Sequence, residues 1–238
     1  MDLTGSVALV TGANRGLGAR LVAELLRAGA AKVYASSRTP GTAAVAGADP
    51  RVRELALDVT DAASVSAAAA AAPDVTVLVN NAGVLAFGSA LEGDLASFER
   101  DLRTNYLGTL RVTRAFAPAL ERNAPGAVVN VLTLIALAPV SPMAGYSASK
   151  AAAHSITQAL RAELRDRGIT VLGAYPGGID TDMLAGVEAD KAPPEVVAER
   201  IVAGLAAGQT VVFPDDASAG AGSVYLSDPL KLEHMLAG

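Results

Sequence analysis

Short runs of apolar and β-branched residues alternate with longer helical segments along most of this chain. Several runs are apolar at nearly every position, as expected for parallel strands that are covered on both faces. The predicted strands span residues 6–11, 32–36, 52–57, 75–80, 127–133, 170–175 and 210–213. The predicted helices span residues 17–28, 62–72, 95–120, 146–167 and 194–207. This alternation predicts an α/β fold, a doubly wound Rossmann-like parallel sheet of about seven strands flanked by helices.

No long linker rich in proline, glycine or serine divides the chain, so residues 1–238 are predicted to form a single domain. The segment 215–223 is small and polar and is predicted to be a surface loop. The tail that follows it has the pattern of a short helix.

Composition excludes several classes of function. The net charge is −5 and no stretch concentrates lysine or arginine, so no nucleic-acid partner is expected. The absence of cysteine excludes disulfides and thiolate chemistry. The start of the chain does not resemble a signal peptide, and no apolar run reaches the ~18 residues of a membrane span, so a cytoplasmic protein without a membrane partner is predicted. His154 and His234 are predicted to be structural or exposed, and no cluster has metal-ligand spacing.

The first predicted strand runs into a glycine-rich turn, Thr11-Gly12-Ala13-Asn14-Arg15-Gly16-Leu17-Gly18, and then into a helix. The N-terminus of a helix offers unpaired N–H groups and a partial positive charge, and glycine lets a pyrophosphate approach the backbone. The turn therefore predicts a dinucleotide phosphate site. Its glycine spacing differs from the common dinucleotide fingerprint, so a tight turn with packing glycines is the alternative.

The end of the second strand indicates which dinucleotide binds. An acidic residue there typically holds the ribose 2′-hydroxyl of NADH, whereas arginine accommodates the 2′-phosphate of NADPH. This chain has Ser37 and Arg38 at that place and no acid, and Arg15 lies in the glycine turn. These residues favour NADPH over NADH.

Tyr146 and Lys150 are four residues apart at the start of a predicted helix, after the fifth strand. This spacing places both side chains on one helical face. A nearby ammonium group is expected to lower the pKa of the phenol from about 10, which would allow proton exchange with an alcohol or ketone near neutral pH. The pattern also occurs by chance in many helices. Its position at the carboxyl edge of a parallel sheet, where such folds bind ligands, gives it weight.

With these motifs in place, the chain resembles the classical short-chain dehydrogenase/reductase family over nearly its whole length. Five motifs occur in the family's order, each after its predicted strand. They are residues 11–18, Asp58, the segment Asn80-Asn81-Ala82-Gly83, the Tyr146/Lys150 pair, and the segment Pro176-Gly177-Gly178-Ile179-Asp180-Thr181.

The resemblance implies roles for particular residues. Asp58 and the Val59 amide would contact adenine, Lys150 the nicotinamide ribose, and residues 176–181 the nicotinamide, with Thr181 on its carboxamide. Asn105 resembles the family's catalytic asparagine, whose backbone positions a water. The predicted cofactor-binding residues are therefore Thr11, Gly12, Asn14, Arg15, Gly16, Leu17, Gly18, Ser37, Arg38, Asp58, Val59, Asn81, Ala82, Gly83, Tyr146, Lys150, Pro176, Gly177, Ile179 and Thr181.

The family's catalytic serine, thirteen residues before the tyrosine, is replaced here by Thr133. Threonine keeps the hydroxyl that would polarise a carbonyl, and its methyl group stiffens the side chain and crowds the pocket. Ser141 is a weaker candidate for that role because it lies in the following loop. The predicted catalytic residues are Asn105, Thr133, Tyr146 and Lys150. The residues predicted to line the substrate pocket are Leu134, Val140, Met143, Tyr175, Met183 and Leu184.

The predicted function is an NADPH-dependent oxidoreductase that interconverts a small, apolar ketone or aldehyde and its alcohol. The helices 95–120 and 146–167 resemble the family's subunit interface, which implies a homodimer or homotetramer. One alternative is an NADP(H)-binding sensor with little turnover, which only Thr133 favours. Another is a nucleotide-sugar epimerase or dehydratase, which would need a differently spaced glycine turn and a larger C-terminal substrate domain.

Overall fold

The fold is centred on a seven-stranded parallel sheet with strand order β3-β2-β1-β4-β5-β6-β7. It is seen in a computed structural model that describes residues 1–41 and 49–237. The strands are β1 (Val7–Thr11), β2 (Lys32–Ser37), β3 (Val52–Ala56), β4 (Val77–Asn80), β5 (Gly126–Val131), β6 (Ile169–Ala174) and β7 (Val211–Val212). The predicted Rossmann-like sheet of about seven strands is confirmed, with strand ends shifted by up to two residues.

Helices cover both faces of the sheet. They are α1 (Gly16–Arg27), α2 (Ala62–Ala71), α3 (Leu95–Asp101), α4 (Thr109–Arg122), α5 (Ala144–Leu164), α6 (Pro194–Ala206), α7 (Asp216–Ser227) and α8 (Pro229–Ala237). One buried cluster joins α1 and α6 to the sheet, with Leu21 and Ile201 among its members. A second cluster joins α2, α4 and α5 to the opposite face, around Val65, Phe116 and Leu160. The strands β1, β4, β5 and β6 are buried on both faces, which explains their nearly continuous apolar sequences.

The strand order reverses between β1 and β4. The chain runs outward from β1 through β2 to β3 and then returns to place β4 on the other side of β1. The loops that leave the carboxyl ends of β1 and β4 therefore diverge, and the space between them is where open α/β sheets bind ligands.

The single helix predicted for residues 95–120 is interrupted. α3 ends at Asp101, a π-helix spans Leu102–Gly108, and α4 begins at Thr109. A π-helical turn holds one extra residue between hydrogen-bonded partners, and apolar spacing alone does not reveal such a local change. The helix predicted to open at Tyr146 begins two residues earlier, at Ala144.

The prediction of a surface loop at 215–223 is wrong, because residues from Asp216 onward form α7. Asp215 caps this helix by accepting a hydrogen bond from the Ser218 amide (2.8 Å), and the Ser218 hydroxyl accepts one from the Asp215 amide (3.1 Å). Gly222 faces the Phe213 ring at a distance that leaves no room for a side chain. The small residues that suggested a loop thus allow a helix to pack closely. The short helix predicted for the tail is confirmed as α8.

Asp215 also ties α7 to the site, since its second carboxylate oxygen accepts a hydrogen bond from the Gly177 amide (2.9 Å). We expect Asp215→Ala to lower the free energy of unfolding by about 2–3 kcal/mol, because a helix cap and a buried bond are both lost. Urea denaturation followed by circular dichroism measures this loss. The control is Asp216→Ala, which removes only an exposed ion pair with Arg200 and should cost less than about 1 kcal/mol. Equal losses in the two variants would contradict the assignment.

Candidate active site

The glycine-rich turn after β1 is packed too tightly for side chains at two positions. A Cβ on Gly18 would lie 2.1 Å from the carbonyl oxygen of Gly12. Gly12 itself has a positive φ of 64°, and a Cβ there would lie 3.0 Å from the Cα of Ala82. These close approaches bring the start of α1 directly over the end of β1 and beside the segment that follows β4.

The N-terminus of α1 carries the partial positive charge of the helix dipole without a capping side chain. Its N-cap residue, Arg15, makes no side-chain capping bond, and no acidic residue lies in the first turn. By contrast, α2, α3 and α7 are each capped by an aspartate, namely Asp61, Asp94 and Asp215. Free N–H groups and the helix dipole together favour an anion. The turn therefore fits the pyrophosphate of a dinucleotide.

Thr11 fixes this turn to the neighbouring loop. Its hydroxyl accepts hydrogen bonds from the amides of Asn81 and Ala82, both at 2.9 Å. The Asn81 side chain donates in return to the carbonyls of Thr11 (2.9 Å) and Gly12 (3.2 Å). The Thr11 side chain is therefore engaged with protein groups, and its part in a cofactor site is to hold the two loops together.

The residues predicted to surround the adenosine end lie around the ends of β2 and β3. Hydrogen bonds from the hydroxyl and amide of Thr60 hold the pKa of Asp58 below its usual range, and the charges of Arg38 and Arg111 act in the same direction. The guanidinium of Arg111 also donates to the Val59 carbonyl (2.7 Å). Arg38 thus has its positive charge near Asp58, at the sheet edge where the 2′-phosphate was predicted. Residues 42–48 lie outside the described residues.

Arg15 points across the site to the loop that follows β6, where it pairs with Asp182 at 2.8 Å. Both side chains are more than two-thirds exposed, so this ion pair contributes little to stability and is easily exchanged for another anion. Thr181 lies beside it, with its methyl group 3.4 Å from the position of a Cβ on Gly16. The loop of residues 176–184 therefore faces the glycine-rich turn, as the cofactor prediction requires.

Tyr146 and Lys150 lie together and are buried, with 8% and 5% of their surfaces exposed. The Lys150 Nζ lies 5.9 Å from the centre of the Tyr146 ring and donates a hydrogen bond to the Val131 carbonyl (2.8 Å). Gly83 lies beside this ammonium group, where a Cβ would be in ordinary contact with Nζ at 3.7 Å and closer to the Asn105 Oδ1 at 3.1 Å. Burial lowers the pKa of Lys150 to about 8, because a charged ammonium group is poorly solvated inside the protein.

The predicted lowering of the Tyr146 pKa is wrong. Burial raises the pKa of the phenol well above its usual range, and the negative charge of Asp101 raises it further. Removing solvent from the phenolate outweighs the attraction of the ammonium group, which is itself buried. Tyr146 is therefore protonated near neutral pH, the form in which a phenol can donate a proton.

Asn105 lies in the π-helix and holds the segment after β4. Its side-chain oxygen accepts from the Val84 amide (2.9 Å), and its side-chain nitrogen donates to the Val84 carbonyl (2.8 Å) and to Ser149 (2.9 Å). The Ser149 hydroxyl then donates to the carbonyl of Tyr146 (2.7 Å). The asparagine is thereby linked to the helix that carries Tyr146 and Lys150.

Thr133 follows β5, and its side chain is buried at the same sheet edge. Its hydroxyl donates to the Pro176 carbonyl at 3.3 Å, a long and weak bond. To polarise a substrate carbonyl, the hydroxyl would have to exchange this partner for the substrate oxygen.

The six residues predicted to line the substrate pocket fall into two groups. Val140, Met143, Met183 and Leu184 are partly or largely exposed on the loops around the site. Leu134 instead packs with Ala138 and Leu232, beneath the C-terminal helices. The prediction for Tyr175 is wrong, because its ring is 2% exposed, packs against Phe213 and bonds His154 through its hydroxyl (2.7 Å). The helices α7 and α8 account for the burial of Leu134. The sequence did not indicate that these helices would pack over it.

Sequence reasoning missed two acidic residues at the site. Asp215 fixes the Gly177 amide, and Asp101 accepts a hydrogen bond from the Ala86 amide (3.1 Å) while being fully buried. Isolated aspartates give no signal in a sequence, although Asp215 followed three residues later by Ser218 has the spacing of a helix cap.

The profile of the short chain dehydrogenase family matches residues 6–192. The chain belongs to the short chain dehydrogenase family. Among its curated relatives, galactitol 2-dehydrogenase (L-tagatose-forming) of Cereibacter sphaeroides is 35% identical over 189 residues, 76% of this chain and 74% of the relative. The 3-oxoacyl-(acyl-carrier-protein) reductase FabG of Vibrio harveyi is 31% identical over 197 residues, 80% of each chain.

Solved structures of other short chain dehydrogenases share the fold. A short chain dehydrogenase from Burkholderia cenocepacia J2315, in complex with NADP, is 38% identical with a TM-score of 0.93 over 100% of both chains. A 3-ketoacyl-(acyl-carrier-protein) reductase from Brucella melitensis, complexed with NADH, is 29% identical with a TM-score of 0.81 over 89% of this chain and 96% of that one.

Membership of this family makes the protein an NAD(P)-dependent oxidoreductase that acts on CH–OH or C=O groups. Within residues 1–41 and 49–237, no helix has both the length and the apolar character needed to cross a membrane. The same residues contain no group of three or more histidine, aspartate or glutamate side chains arranged to hold a metal ion.

The close packing of Gly18 can be tested by substitution. Gly18→Ala should weaken NADP+ binding at least about tenfold, because the new Cβ collides with a backbone carbonyl and moves the phosphate-binding turn. Isothermal titration calorimetry measures the affinity. Gly220→Ala is the control, since nothing lies within 4 Å of that position, and it should leave binding unchanged. Native affinity in Gly18→Ala would refute the assigned turn.

Proposed function

We propose that this short chain dehydrogenase is an NADPH-dependent carbonyl reductase or alcohol dehydrogenase acting on a small, apolar ketone, aldehyde or secondary alcohol. The observation that carries this proposal is the buried Tyr146/Lys150 pair at the sheet edge that also holds the uncapped N-terminus of α1. A protonated phenol can supply the proton for reduction of a carbonyl, and an anion site can hold the phosphates of the cofactor.

The cofactor would be held by the loops already described. The uncapped amides at the start of α1 would bind the pyrophosphate, and Asp58 with the Val59 amide would contact adenine. Lys150 would bind the nicotinamide ribose, and residues 176–181 would contact the nicotinamide. When bound, the nicotinamide supplies or accepts the hydride, and the protein supplies orientation and electrostatics.

Tyr146 would donate the proton to the substrate oxygen during reduction. The phenol is protonated at neutral pH, which is the form that a general acid requires before it donates. Lys150, with a pKa lowered to about 8, would resupply the proton by exchange near neutral pH. Thr133 would donate a second hydrogen bond to the substrate oxygen after leaving the Pro176 carbonyl. Asn105 would hold the water that connects Lys150 to solvent.

The preference for NADPH rests on the end of β2, where Ser37 and Arg38 stand in place of an acid. The NADP complex of the 38% identical relative supports this preference, while another relative was solved with NADH. The apolar substrate class rests on Val140, Met143, Met183 and Leu184, the nonpolar side chains on the loops around the site.

A homodimer or homotetramer is also proposed. Between α4 and α5 runs a surface groove of about 190 Å³ that includes Leu110, Ile156 and Leu160, and a second copy would cover it. Light scattering at micromolar concentration should give a mass of at least twice 23.9 kDa. A monomeric mass would refute this part of the proposal.

Removing the Tyr146 hydroxyl tests the mechanism. Tyr146→Phe should reduce kcat at least about 100-fold on the best carbonyl found in a substrate panel, because the proton donor is lost. NADPH oxidation followed at its absorbance band measures the rate, and NADPH affinity should be retained. Tyr225→Phe, on α7, is the matched control and should keep native activity. Binding of NADPH with no turnover of any carbonyl would favour a sensor instead.

Reversing the charge at Arg38 tests the cofactor choice. Arg38→Asp should lower kcat/KM for NADPH relative to NADH by about tenfold or more, since a carboxylate repels the 2′-phosphate and can bond the 2′-hydroxyl. Arg53→Asp makes the same charge change on exposed β3 and should leave the ratio unchanged. An unaltered ratio in Arg38→Asp would show that NADPH preference has another source.

A further inference from the structure

Arg111 reaches from α4 to the turn that follows β3, and it has no part in the proposed proton transfer. Its side chain is partly buried, and one guanidinium nitrogen donates a hydrogen bond to the Val59 carbonyl at 2.7 Å. The two partners are 52 residues apart in the chain, so only the folded protein brings them together. Hydrogen bonds from a charged donor are stronger than those between neutral groups, so this contact can fix the backbone that it meets.

The bond from Arg111 holds one end of a peptide unit whose other end is held by Asp58. That unit joins Val59 to Thr60. Its carbonyl oxygen accepts from Arg111, and its N–H, the Thr60 amide, donates to Oδ1 of Asp58 at 2.8 Å. The Thr60 hydroxyl donates to the same carboxylate oxygen at 2.7 Å. Because the peptide unit is planar, it cannot rotate without breaking one of the bonds at its two ends.

The start of α4 also packs closely on this turn. Gly108, the last residue of the π-helix, is buried, and a Cβ there would lie 2.8 Å from Cγ2 of Val59. The φ of Gly108 is −62°, an ordinary helical value, so the backbone itself does not require glycine. The close approach of Val59 does. Arg111 lies three residues further on, on the same side of the helix, and its guanidinium group extends from there to the Val59 carbonyl.

The turn of residues 58–60 contains the proposed adenine contacts, which are Asp58 and the Val59 amide. The Asp58 amide is itself held, since it donates to the Ser64 hydroxyl on α2 at 2.9 Å. Two helices therefore fix the turn: α2 through Ser64 and α4 through Arg111. Groups that are already held in the binding arrangement lose less freedom when a ligand arrives, so such support increases affinity.

We propose that Arg111 is a positioning residue for the adenosine end of the cofactor: by bonding the Val59 carbonyl, it holds the turn of residues 58–60 in the arrangement that receives adenine. The guanidinium group acts through the backbone of the turn and not on the reacting atoms. Its loss therefore weakens the hold on adenosine and leaves the chemical step of the bound complex unchanged. This inference rests on the proposed function, which places adenine at this turn.

Removing the guanidinium group tests the role. Arg111→Met keeps much of the apolar stem and removes the donor, so it should weaken binding of adenosine 2′,5′-bisphosphate by about tenfold. Isothermal titration calorimetry measures this affinity without turnover. The KM for NADPH should rise by a similar factor, while kcat at saturating NADPH stays within about twofold of native. A general loss of structure would lower kcat as well.

Two further variants separate the hydrogen bond from the charge. Arg111→Lys keeps the charge on a shorter side chain without the planar guanidinium group, and it should lose at least about threefold in affinity for adenosine 2′,5′-bisphosphate. Arg122→Met removes the same charge from the exposed far end of α4 and should bind this nucleotide with native affinity. Urea denaturation shows which variants are folded, and Arg111→Lys carries the test if Arg111→Met is not.

The outcomes distinguish this inference from the proposed function. Native affinity in Arg111→Lys would overturn the inference, because charge alone would then explain any loss in Arg111→Met. A native protein that binds neither NADP+ nor adenosine 2′,5′-bisphosphate would overturn the inference and the proposed function together. Weakened nucleotide binding in both Arg111 variants of a protein that reduces no carbonyl would support the role of Arg111 and refute the proposed reductase activity.

Discussion

The hydroxyl of Thr11 joins the ends of β1 and β4 at the point where the strand order reverses, and the rest of the site depends on that junction. By accepting from the amides of Asn81 and Ala82, it holds the glycine-rich turn against the loop after β4. Gly12 and Gly18 make this approach possible because a side chain at either would collide with the neighbouring backbone. The free N-terminus of α1 is thereby aimed into the space between the two loops, where an anion is favoured.

Burial governs the chemistry of the reactive pair. Both Tyr146 and Lys150 are removed from solvent, which favours the uncharged form of each side chain. The pKa of the phenol is therefore raised, and the pKa of the ammonium group is lowered to about 8. A proton donor beside a group that exchanges protons near neutrality suits reduction of a carbonyl. The charge of Asp101, at the end of α3, also raises the pKa of the phenol.

Interactions across the chain place the remaining parts of the site. Asp215, from the C-terminal region, fixes the Gly177 amide in the loop after β6, so α7 supports residues near the predicted nicotinamide contacts. Buried hydrogen bonds connect Asn80 on β4 to Thr113 on α4 and to Asn130 on β5, and Asn130 bonds Thr157 on α5. These bonds align the two helices that bear or border the proposed catalytic residues with the strands beneath them.

The sequence alone determined the sheet, the glycine-rich turn and the Tyr146/Lys150 pair, because apolar periodicity, glycine spacing and helical spacing are local properties of a chain. Only the tertiary structure decided the π-helix at Leu102–Gly108, the helix α7, the core position of Tyr175 and the direction of the Tyr146 pKa shift. Each of these depends on which distant residues pack together. The pKa of Tyr146 is the clearest case. The four-residue spacing shows that a cation lies near the phenol, but the exclusion of solvent and the charge of Asp101 outweigh the effect of that cation. Both arise only when α3, α5 and the sheet are assembled.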